Sequence, residues 1–404
     1  MNAVAQAVSE ELYQLQSGVE VFAQAFADGL RIPEPVSIDK WADEHRFLPR
    51  ESSSEPGKFR TSRTPYLREP MRVMSDDHPS QRAVMVFATQ VGKTETGNNF
   101  VGSVIDQTPG PMMIVQPTVD MAKRWSRQRL SPMIEHTPVL RARIKPARSR
   151  DSGNTSTMKE YPGGVAVITG ANSAAGLRSM PVRFLFMDEI DAYPQDVDGE
   201  GDPIDLAERR TSTFPRRKIL LTSTPTVKDE SAIWEEFEKS DQRYYYVPCP
   251  HCGHEQVLRD ENLTDAGTFL CEKEGHEIEH HHKTEMLANG RWIAHNPDSN
   301  VPGFHLASYY SPIGLGYTWE EIAEMRRQAK DNPEKAKTYT NTIMAECYED
   351  ETGKVDWKEV ADRAGGYSSR TIPDGCLMLT AGIDTQDDRW AIEAVIPFGI
   401  MQHY

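Results

Sequence analysis

Short apolar runs alternate with amphipathic, helix-like segments through the middle of the chain. The runs cover residues 82–88, 111–117, 163–171, 182–188 and 217–225, and helical patterns occupy residues 93–106 and 119–136. Runs that are apolar throughout are typical of strands buried on both faces. The alternation therefore predicts an α/β fold, in which a parallel sheet carries helices on both faces.

The pattern changes outside this region and divides the chain into segments. Residues 1–35 and 317–348 have helical patterns, and the last segment reads as two strands joined by a polar turn. We predict this organisation: a helical region at 1–40, an α/β domain at 41–350 with a Cys- and His-rich insertion at 245–295, a linker at 351–375, and an incomplete domain at 376–404.

Composition narrows the class of protein. A length of 404 residues favours two or three domains. No run of about 18 apolar residues occurs, so no membrane span is expected. Five cysteines do not make a disulfide framework in a chain of this size, and their spacing favours metal binding in a reducing cytoplasm.

Charge is unevenly distributed along the chain, whose net charge is -16. Residues 120–150 contain nine cations and two acids, whereas residues 188–208 contain nine acids and no Lys or Arg. The first segment could attract phosphate groups although the whole protein is acidic. Two solvated helix faces would explain the same charges equally well.

The stretch "VMVFATQVGKTETG", residues 84–97, resembles a phosphate-binding loop between a strand and a helix. In such a loop, backbone N–H groups face the phosphates, the Lys adds charge, and the Thr hydroxyl holds Mg²⁺. Phe87 occupies the position where the first glycine usually stands. The residues expected to contact ATP are Gln90, Val91, Gly92, Lys93, Thr94 and Glu95.

Two later strands end in polar residues that suit the same chemistry. Asp188 and Glu189 end one apolar run, where the first acid can hold Mg²⁺ and the second can activate the attacking water. Ser223 and Thr224 end another run, where hydroxyls can sense the γ-phosphate. The order of lysine loop, Asp-Glu strand and Ser-Thr strand predicts an ATP-driven motor core.

Cysteine spacing predicts a structural metal site in the insertion. Cys249 and Cys252 form a C-x₂-C knuckle, and Cys271 and His276 follow it. Three thiolates and one imidazole would complete a tetrahedral zinc site. Glu274 stands where a fourth Cys would be expected, and the alternative fourth ligands are His280, His281 and His282.

Several motifs in one order resemble the large terminase subunit of tailed phages, in its lambda-like branch. They are "WADEHRFLPRESSSEPGKFRTSRTPYLREPM", "ATQVGKTE", "GLRSMPVRFLFMDEID", "LLTSTP", "YYVPCPHCG" and "LTAGIDTQDDRW". The resemblance extends from about Trp41 to the C-terminus. The family's phosphate loops often lack the first glycine. They commonly carry a basic residue where this chain has Thr89.

The resemblance implies further site residues. Arg178 would act on the γ-phosphate, Tyr66 and Arg68 would contact the adenine, and Asp384 would be the first metal-binding carboxylate of an RNase H-like nuclease domain. Two-metal cleavage needs several carboxylates, and two strands do not form that domain alone. We therefore expect no competent endonuclease from this chain.

The resemblance also implies the partners and the cellular location. We expect the protein to translocate double-stranded DNA in the cytoplasm of a bacterial host, to bind a small terminase subunit and a portal protein, and to assemble as a homo-oligomer. Residues 5–28 would be the docking helix for the small subunit. The alternatives are a helicase-like ATPase, which would need a second motor domain, and a nonfunctional prophage remnant that binds DNA without turnover.

Overall fold

The computed structural model describes residues 18–30, 36–51, 53–145, 153–349, 380–385 and 390–395. Contacts divide the chain into two units, Met1–Glu349 and Asp350–Tyr404. The predicted boundaries lie at 40/41, 350/351 and 375/376. They stay predictions.

The strands of the described residues are numbered in chain order. They are β1 Phe47–Leu48, β2 Gly57–Lys58, β3 Arg82–Phe87, β4 Met112–Gln116, β5 Met158–Tyr161, β6 Gly164–Gly170, β7 Phe184–Asp188, β8 Lys218–Ser223, β9 Arg243–Pro248, β10 Glu255–Val257, β11 Phe269–Leu270, β12 Glu277–Ile278, β13 Arg291–Ala294, β14 Gly303–Leu306, β15 Thr380–Thr385 and β16 Trp390–Val395.

The α-helices are numbered in the same way. They are α1 Gly18–Leu30, α2 Ile38–His45, α3 Arg68–Met74, α4 Lys93–Asp106, α5 Val119–Trp125, α6 Ser131–His136, α7 Pro138–Arg143, α8 Ala174–Leu177, α9 Pro203–Glu208, α10 Ala232–Glu238, α11 Lys283–Ala288, α12 Trp319–Ala329 and α13 Pro333–Tyr339. Two π-helical segments, Ser126–Leu130 and Thr340–Met344, follow α5 and α13.

A ten-stranded sheet forms the centre of the first unit. Its strand order is β10-β9-β14-β3-β8-β7-β4-β6-β5, with β13 paired to β9. The strands from β9 to β6 are parallel to their neighbours, and the edge strands β5, β10 and β13 are antiparallel. Mixed pairing of this kind is common at the edges of a parallel sheet.

Burial confirms the predicted α/β fold. Every residue of β4, β7 and β8 is buried. Successive side chains of a strand point to opposite faces of the sheet, so the sheet is covered on both faces. The five predicted strands and the helix at 93–106 are confirmed. In β4, β7 and β8, burial of every residue explains the continuous apolar runs.

The predicted helix at 119–136 contains the π-helical segment Ser126–Leu130 between α5 and α6. Two parallel members of the sheet, β9 and β14, were not predicted. Strand β14 is only four residues long and pairs with both β3 and β9. A run this short has no periodicity that distinguishes a strand from a loop.

The second unit contains one described hairpin. Strands β15 and β16 pair antiparallel from Thr380↔Val395 to Thr385↔Trp390. The two strands predicted for this segment are confirmed. The turn between them, with Asp387 and Asp388, and Cys376 lie outside the described residues.

Candidate active site and metal centre

The phosphate loop connects β3 to α4 through two residues in the left-handed region. Gln90 has φ 61°, and Gly92, which precedes the first residue of α4, has φ 87°. A Cβ on Gly92 would lie 2.7 Å from Leu67 Cδ1, so both the backbone and the available space favour glycine. The missing glycine of the motif falls on Phe87, the last residue of β3, which is fully buried and stacks on Trp292. An extended strand position does not require glycine.

Thr89 is held by the segment that follows α13. Its backbone N–H and its hydroxyl both donate to the carbonyl of Thr342, at 3.0 and 3.1 Å. Ser308 donates to the carbonyls of Thr89 and Thr342. The Thr342 carbonyl, which lies in the π-helical segment Thr340–Met344, thus accepts three hydrogen bonds. Thr89 therefore fixes the start of the loop.

Lys93 connects the three predicted motifs. Its ammonium group lies 2.8 Å from a carboxylate oxygen of Glu189 and 2.8 Å from the hydroxyl of Thr224. Thr224 in turn donates to the carbonyl of Phe87. Strand β8 lies between β3 and β7 in the sheet, which places the ends of these strands side by side.

The two acids differ in environment. Asp188 is 4% exposed and accepts hydrogen bonds from Thr222 at 2.7 Å and Gln116 at 3.3 Å. Burial, and then the neighbouring Glu189 carboxylate, raise the pKa of Asp188. Glu189 is half-buried and has a left-handed backbone, with φ 55° and ψ 52°. A buried carboxylate with a second one beside it is a favourable site for a divalent cation.

Lys93, Glu189 and Thr224 line a cavity of about 820 Å³. One wall is the phosphate loop with Lys93, Thr94 and Glu95, and the opposite walls come from residues 53–67 and from Pro312 and Leu315. The charged residues that line it are Glu55, Lys58, Arg60, Arg63, Lys93, Glu95, Arg129 and Glu189, five cations against three acids. The excess of cations suits an anionic ligand of nucleotide size.

Five of the predicted ATP-site residues do not line this cavity: Asp188 and Ser223, which are buried, and Arg178, Tyr66 and Arg68. Arg178 is exposed and pairs with Glu200 at 2.8 Å. Tyr66 is fully buried, packs edge-on against Tyr245, and accepts a bond from Trp292 at its carbonyl. Arg68 donates to Thr61.

The structure therefore places Arg178, Tyr66 and Arg68 outside the cavity lining, and their roles at the nucleotide stay predictions. Packing buries the Tyr66 ring, and local ion pairing and hydrogen bonding direct the two arginines elsewhere. Ser223 is buried, and its hydroxyl accepts from the N–H of Asp191.

Sequence reasoning missed several residues of this site. Arg129 lines the cavity from the π-helical segment Ser126–Leu130, whereas the sequence indicates only that it belongs to a basic stretch. Gln116 was detectable as the polar last residue of an apolar strand. Arg63 lines the far wall, where it donates to Glu55 and to the carbonyl of Ile313, 250 residues away. No local signal in the sequence indicates such a contact.

The Cys- and His-rich insertion brings its four predicted ligands together. The ligand atoms of Cys249, Cys252, Cys271 and His276 all lie within 4.8 Å of one another. The two sulfur atoms of Cys252 and Cys271 are 3.6 Å apart, close to the separation of about 3.8 Å expected for two thiolates on one tetrahedral zinc. The donor set and its spacing thus fit zinc.

Two similar backbone turns build this cluster. Cys249 N–H bonds to the carbonyl of His254, and Cys271 N–H bonds to that of His276, both at 2.8 Å. The two turns therefore have equivalent hydrogen bonds. Glu274 occupies the position of a second Cys in the second turn, so the fourth candidate ligand is His276, the residue that follows this turn. His280, His281 and His282 are not members of the cluster.

The basic segment is largely at the surface. Its exposed cations are Arg124, Arg127, Arg129, Arg141, Arg143 and Lys145, whereas Arg148 and Arg150 lie outside the described residues. Helix α1 exposes Phe22 and Phe26, at 71% and 59%. Of Asp384 only the backbone is described, within β15. Within the described part of the chain, no helix combines the length and apolarity needed to span a bilayer.

Comparisons with known proteins bear on these features. Residues 53–292 match the phage terminase large subunit gpA ATPase domain, and residues 301–401 match the terminase large subunit gpA endonuclease domain. Strand β14, inside the second range, belongs to the central sheet. The expectation that endonuclease activity is lost stays a prediction.

Similar proteins and structures come from phages. The chain is 29% identical to the terminase large subunit of Enterobacteria phage P21 and 28% identical to that of Escherichia phage lambda, each over 406 residues. Each alignment covers 91% of this chain and 62% of the relative, so the chain spans less than two thirds of their length. The HK97 bacteriophage large terminase is 13% identical, with a TM-score of 0.47 over 89% of this chain and 66% of that one.

Proposed function

The chain belongs to the family of phage terminase large subunits of the gpA type, and we propose that it is the ATP-hydrolysing subunit of a motor that packages double-stranded DNA. The observation that carries this proposal is the position of Lys93. Its ammonium group contacts Glu189 and Thr224 at the ends of neighbouring strands, on a cavity of nucleotide size. Binding, hydrolysis and sensing groups would thus meet at one phosphate.

In this proposal ATP binds through the loop Gln90–Glu95, whose N–H groups and helix start face the phosphates. Lys93 exchanges its contact with Glu189 for phosphate oxygens. Glu189, once released, accepts a proton from the attacking water and orients it. Thr224 and Ser223 then register the loss of the γ-phosphate through their hydroxyls.

Magnesium fits the acidic part of the site. Asp188 and the hydroxyl of Thr94 would hold the ion, because Asp188 is a buried carboxylate whose other contacts are neutral donors. Bound Mg²⁺ would supply positive charge for the phosphate oxygens. Arg129 is our candidate for further charge at the cavity, in place of Arg178.

Zinc would be structural in this protein. We propose that Cys249, Cys252, Cys271 and His276 hold one ion that fixes the two turns of the insertion. No open ligand position is needed for this role.

DNA would be bound by phosphate contacts that are independent of sequence. The exposed cations of residues 124–145 support this assignment, because a motor must accept any genome. A small terminase subunit would dock on the exposed Phe22 and Phe26 of α1. By family membership we also propose a portal protein as partner, homo-oligomeric assembly, action in the host cytoplasm, and a nuclease-metal role for Asp384.

The first test is steady-state ATP hydrolysis by the purified chain, with and without linear duplex DNA, beside Glu189→Ala. Magnesium-dependent turnover that is stimulated by DNA and lost in Glu189→Ala would support the motor. Tight ATP binding without turnover in the intact chain would contradict it and favour the remnant. Separation of short duplexes into single strands would instead favour a helicase.

A further inference from the structure

The backbone at Glu189 is held in a conformation that residues other than glycine rarely adopt. Glu189 has φ 55° and ψ 52°, in the left-handed region. The turn that follows is closed by bonds from Ala192 N–H to the Glu189 carbonyl and from Tyr193 N–H to the Ile190 carbonyl, both at 3.0 Å. Such a conformation costs free energy and persists only where its surroundings enforce it.

Asp191, two residues further on, connects this turn to its surroundings. One carboxylate oxygen accepts from the N–H of Ile233 at 2.7 Å, and the other accepts from the hydroxyls of Thr226 at 2.9 Å and Ser231 at 2.5 Å. The N–H of Asp191 donates to the hydroxyl of Ser223 at 3.2 Å. Asp191 therefore joins the end of β7, the end of β8 and the start of α10.

The contacts of Asp191 separate it from the nucleotide-binding groups. It does not line the cavity, and the described partners of its carboxylate are uncharged donors. Asp191 thus has no direct contact to offer a nucleotide. A half-buried carboxylate whose oxygens are all hydrogen-bonded in this way fixes the geometry of the segments that it joins.

The hydrogen bonds around Asp191 extend, through Thr226, to the last described residues of the first unit. The carbonyl of Thr226 accepts from Tyr348 N–H at 3.0 Å, and Lys228 N–H donates to the Tyr348 carbonyl at 3.1 Å. Thr226 therefore bonds both to Asp191 and to the segment that ends at Glu349.

We propose that Asp191 is a positioning residue for hydrolysis, which holds the turn that aims Glu189 at the attacking water. The inference rests on the proposed ATPase function and deepens it. Removal of Asp191 would leave Lys93 and the phosphate loop intact, so nucleotide binding would survive while the chemical step would slow.

The experiment compares Asp191→Ala with Asp191→Asn and with Asp205→Asn, an exposed acid of the same segment. Asn keeps the shape of the side chain, and the hydroxyls of Thr226 and Ser231 can accept from its amide as well as donate. Two quantities are measured on each protein: amide hydrogen exchange at Ala192 and Tyr193 without nucleotide, and kcat beside the Kd for ATP.

We expect Asp191→Ala to accelerate exchange at both amides and to lower kcat about 100-fold, with an unchanged Kd for ATP. Asp191→Asn should restore most of kcat, and Asp205→Asn should behave as wild type. Thr226→Val should lower kcat by a smaller factor, and Thr226→Ser, which keeps the hydroxyl, should recover the wild-type kcat.

Three results would overturn the inference. Exchange at Ala192 and Tyr193 that stays unchanged in Asp191→Ala would mean that Asp191 does not hold the turn. Faster exchange with unchanged kcat would reduce Asp191 to a structural cap of α10. A wild-type chain without turnover would overturn the proposed function itself, and the role in hydrolysis with it, which distinguishes that failure from the first two.

Discussion

The ammonium group of Lys93 lies 2.8 Å from a carboxylate oxygen of Glu189. The residue proposed to bind phosphate and the residue proposed to activate water therefore form an ion pair with each other. An incoming phosphate would compete with Glu189 for Lys93. Phosphate binding to Lys93 and release of Glu189 would then occur in one step.

Glu189→Gln should separate these two functions. The amide keeps the size of the side chain but removes the charge and the basicity, so turnover should fall by roughly 10²- to 10⁴-fold. The Kd for ATP should be equal to or tighter than that of wild type, because Lys93 no longer has an anionic partner. Equilibrium binding of a fluorescent nucleotide and steady-state hydrolysis measure the two effects. Much weaker ATP binding in this variant would contradict the exchange of partners, and Lys93→Ala, which should lose both activities, is the control.

Arg129→Ala and Arg178→Ala should differ in effect. Both side chains are exposed, but Arg129 lines the cavity, whereas Arg178 does not and pairs with Glu200. Loss of a charge that stabilises the transferred phosphoryl group costs about 10²- to 10³-fold in kcat, and we expect this for Arg129→Ala. Arg178→Ala should keep nearly full turnover. The reverse ranking in the same hydrolysis assay would restore Arg178 as the catalytic arginine.

Zinc content should depend on four residues of the insertion. Cys271→Ser and His276→Ala should each remove most of the bound zinc, measured as metal per chain after gel filtration, and should lower Tm, because metal binding contributes to folding free energy. His282→Ala is the matched control, since His282 lies next to the cluster but outside it. Zinc that is retained in His276→Ala and lost in His282→Ala would show that the fourth ligand is not His276.

Stability should depend on pH through Lys283. Burial lowers the pKa of this lysine from its ordinary value of 10.5 to about 7, and its ammonium group donates to the carbonyl of Ser311. The unfolded chain binds the proton up to about pH 10.5 and the folded one only to about pH 7. The free energy of unfolding should therefore rise with pH across this window, by at most about 1.4 kcal/mol per pH unit.

Lys283→Met should weaken this rise. Burial also lowers the pKa values of Lys159 and Lys218, to about 8, so part of the rise should remain. Urea unfolding at several pH values measures the difference, and Lys330→Met, at an exposed position, should follow wild type. The range from about pH 7 to about pH 9 lies inside the window of about 7 to 10.5. If the free energies of unfolding of Lys283→Met and wild type change in parallel across this range, Lys283 does not titrate there.

The sequence predicted those parts of the fold whose signal is local. Strands β3, β4 and β7 are buried on both faces, so their apolar runs were visible without any partner. Lys93, Asp188 and Thr224 stand at strand or loop ends, and parallel strands bring such ends to one edge. Their order along the chain was enough to propose a common site.

The sequence did not predict the positions of residues that depend on packing against distant parts of the chain. Tyr66 lies in a motif that suggested a nucleotide contact, yet Tyr245 and Trp292 enclose it in the core. Arg63 reaches the carbonyl of Ile313 across the cavity. Neither contact leaves a trace in periodicity or spacing, because each depends on the assembled sheet.

The carbonyl of Thr342 has a consequence for where the ATPase can be divided from the rest of the protein. Thr89, at the start of the phosphate loop, donates two hydrogen bonds to that carbonyl, and β14 lies between β9 and β3. A shortened chain ending at residue 300 would lack both, and would leave two strand edges open inside the sheet. The smallest autonomous ATPase should therefore extend to about residue 349, the end of the first unit.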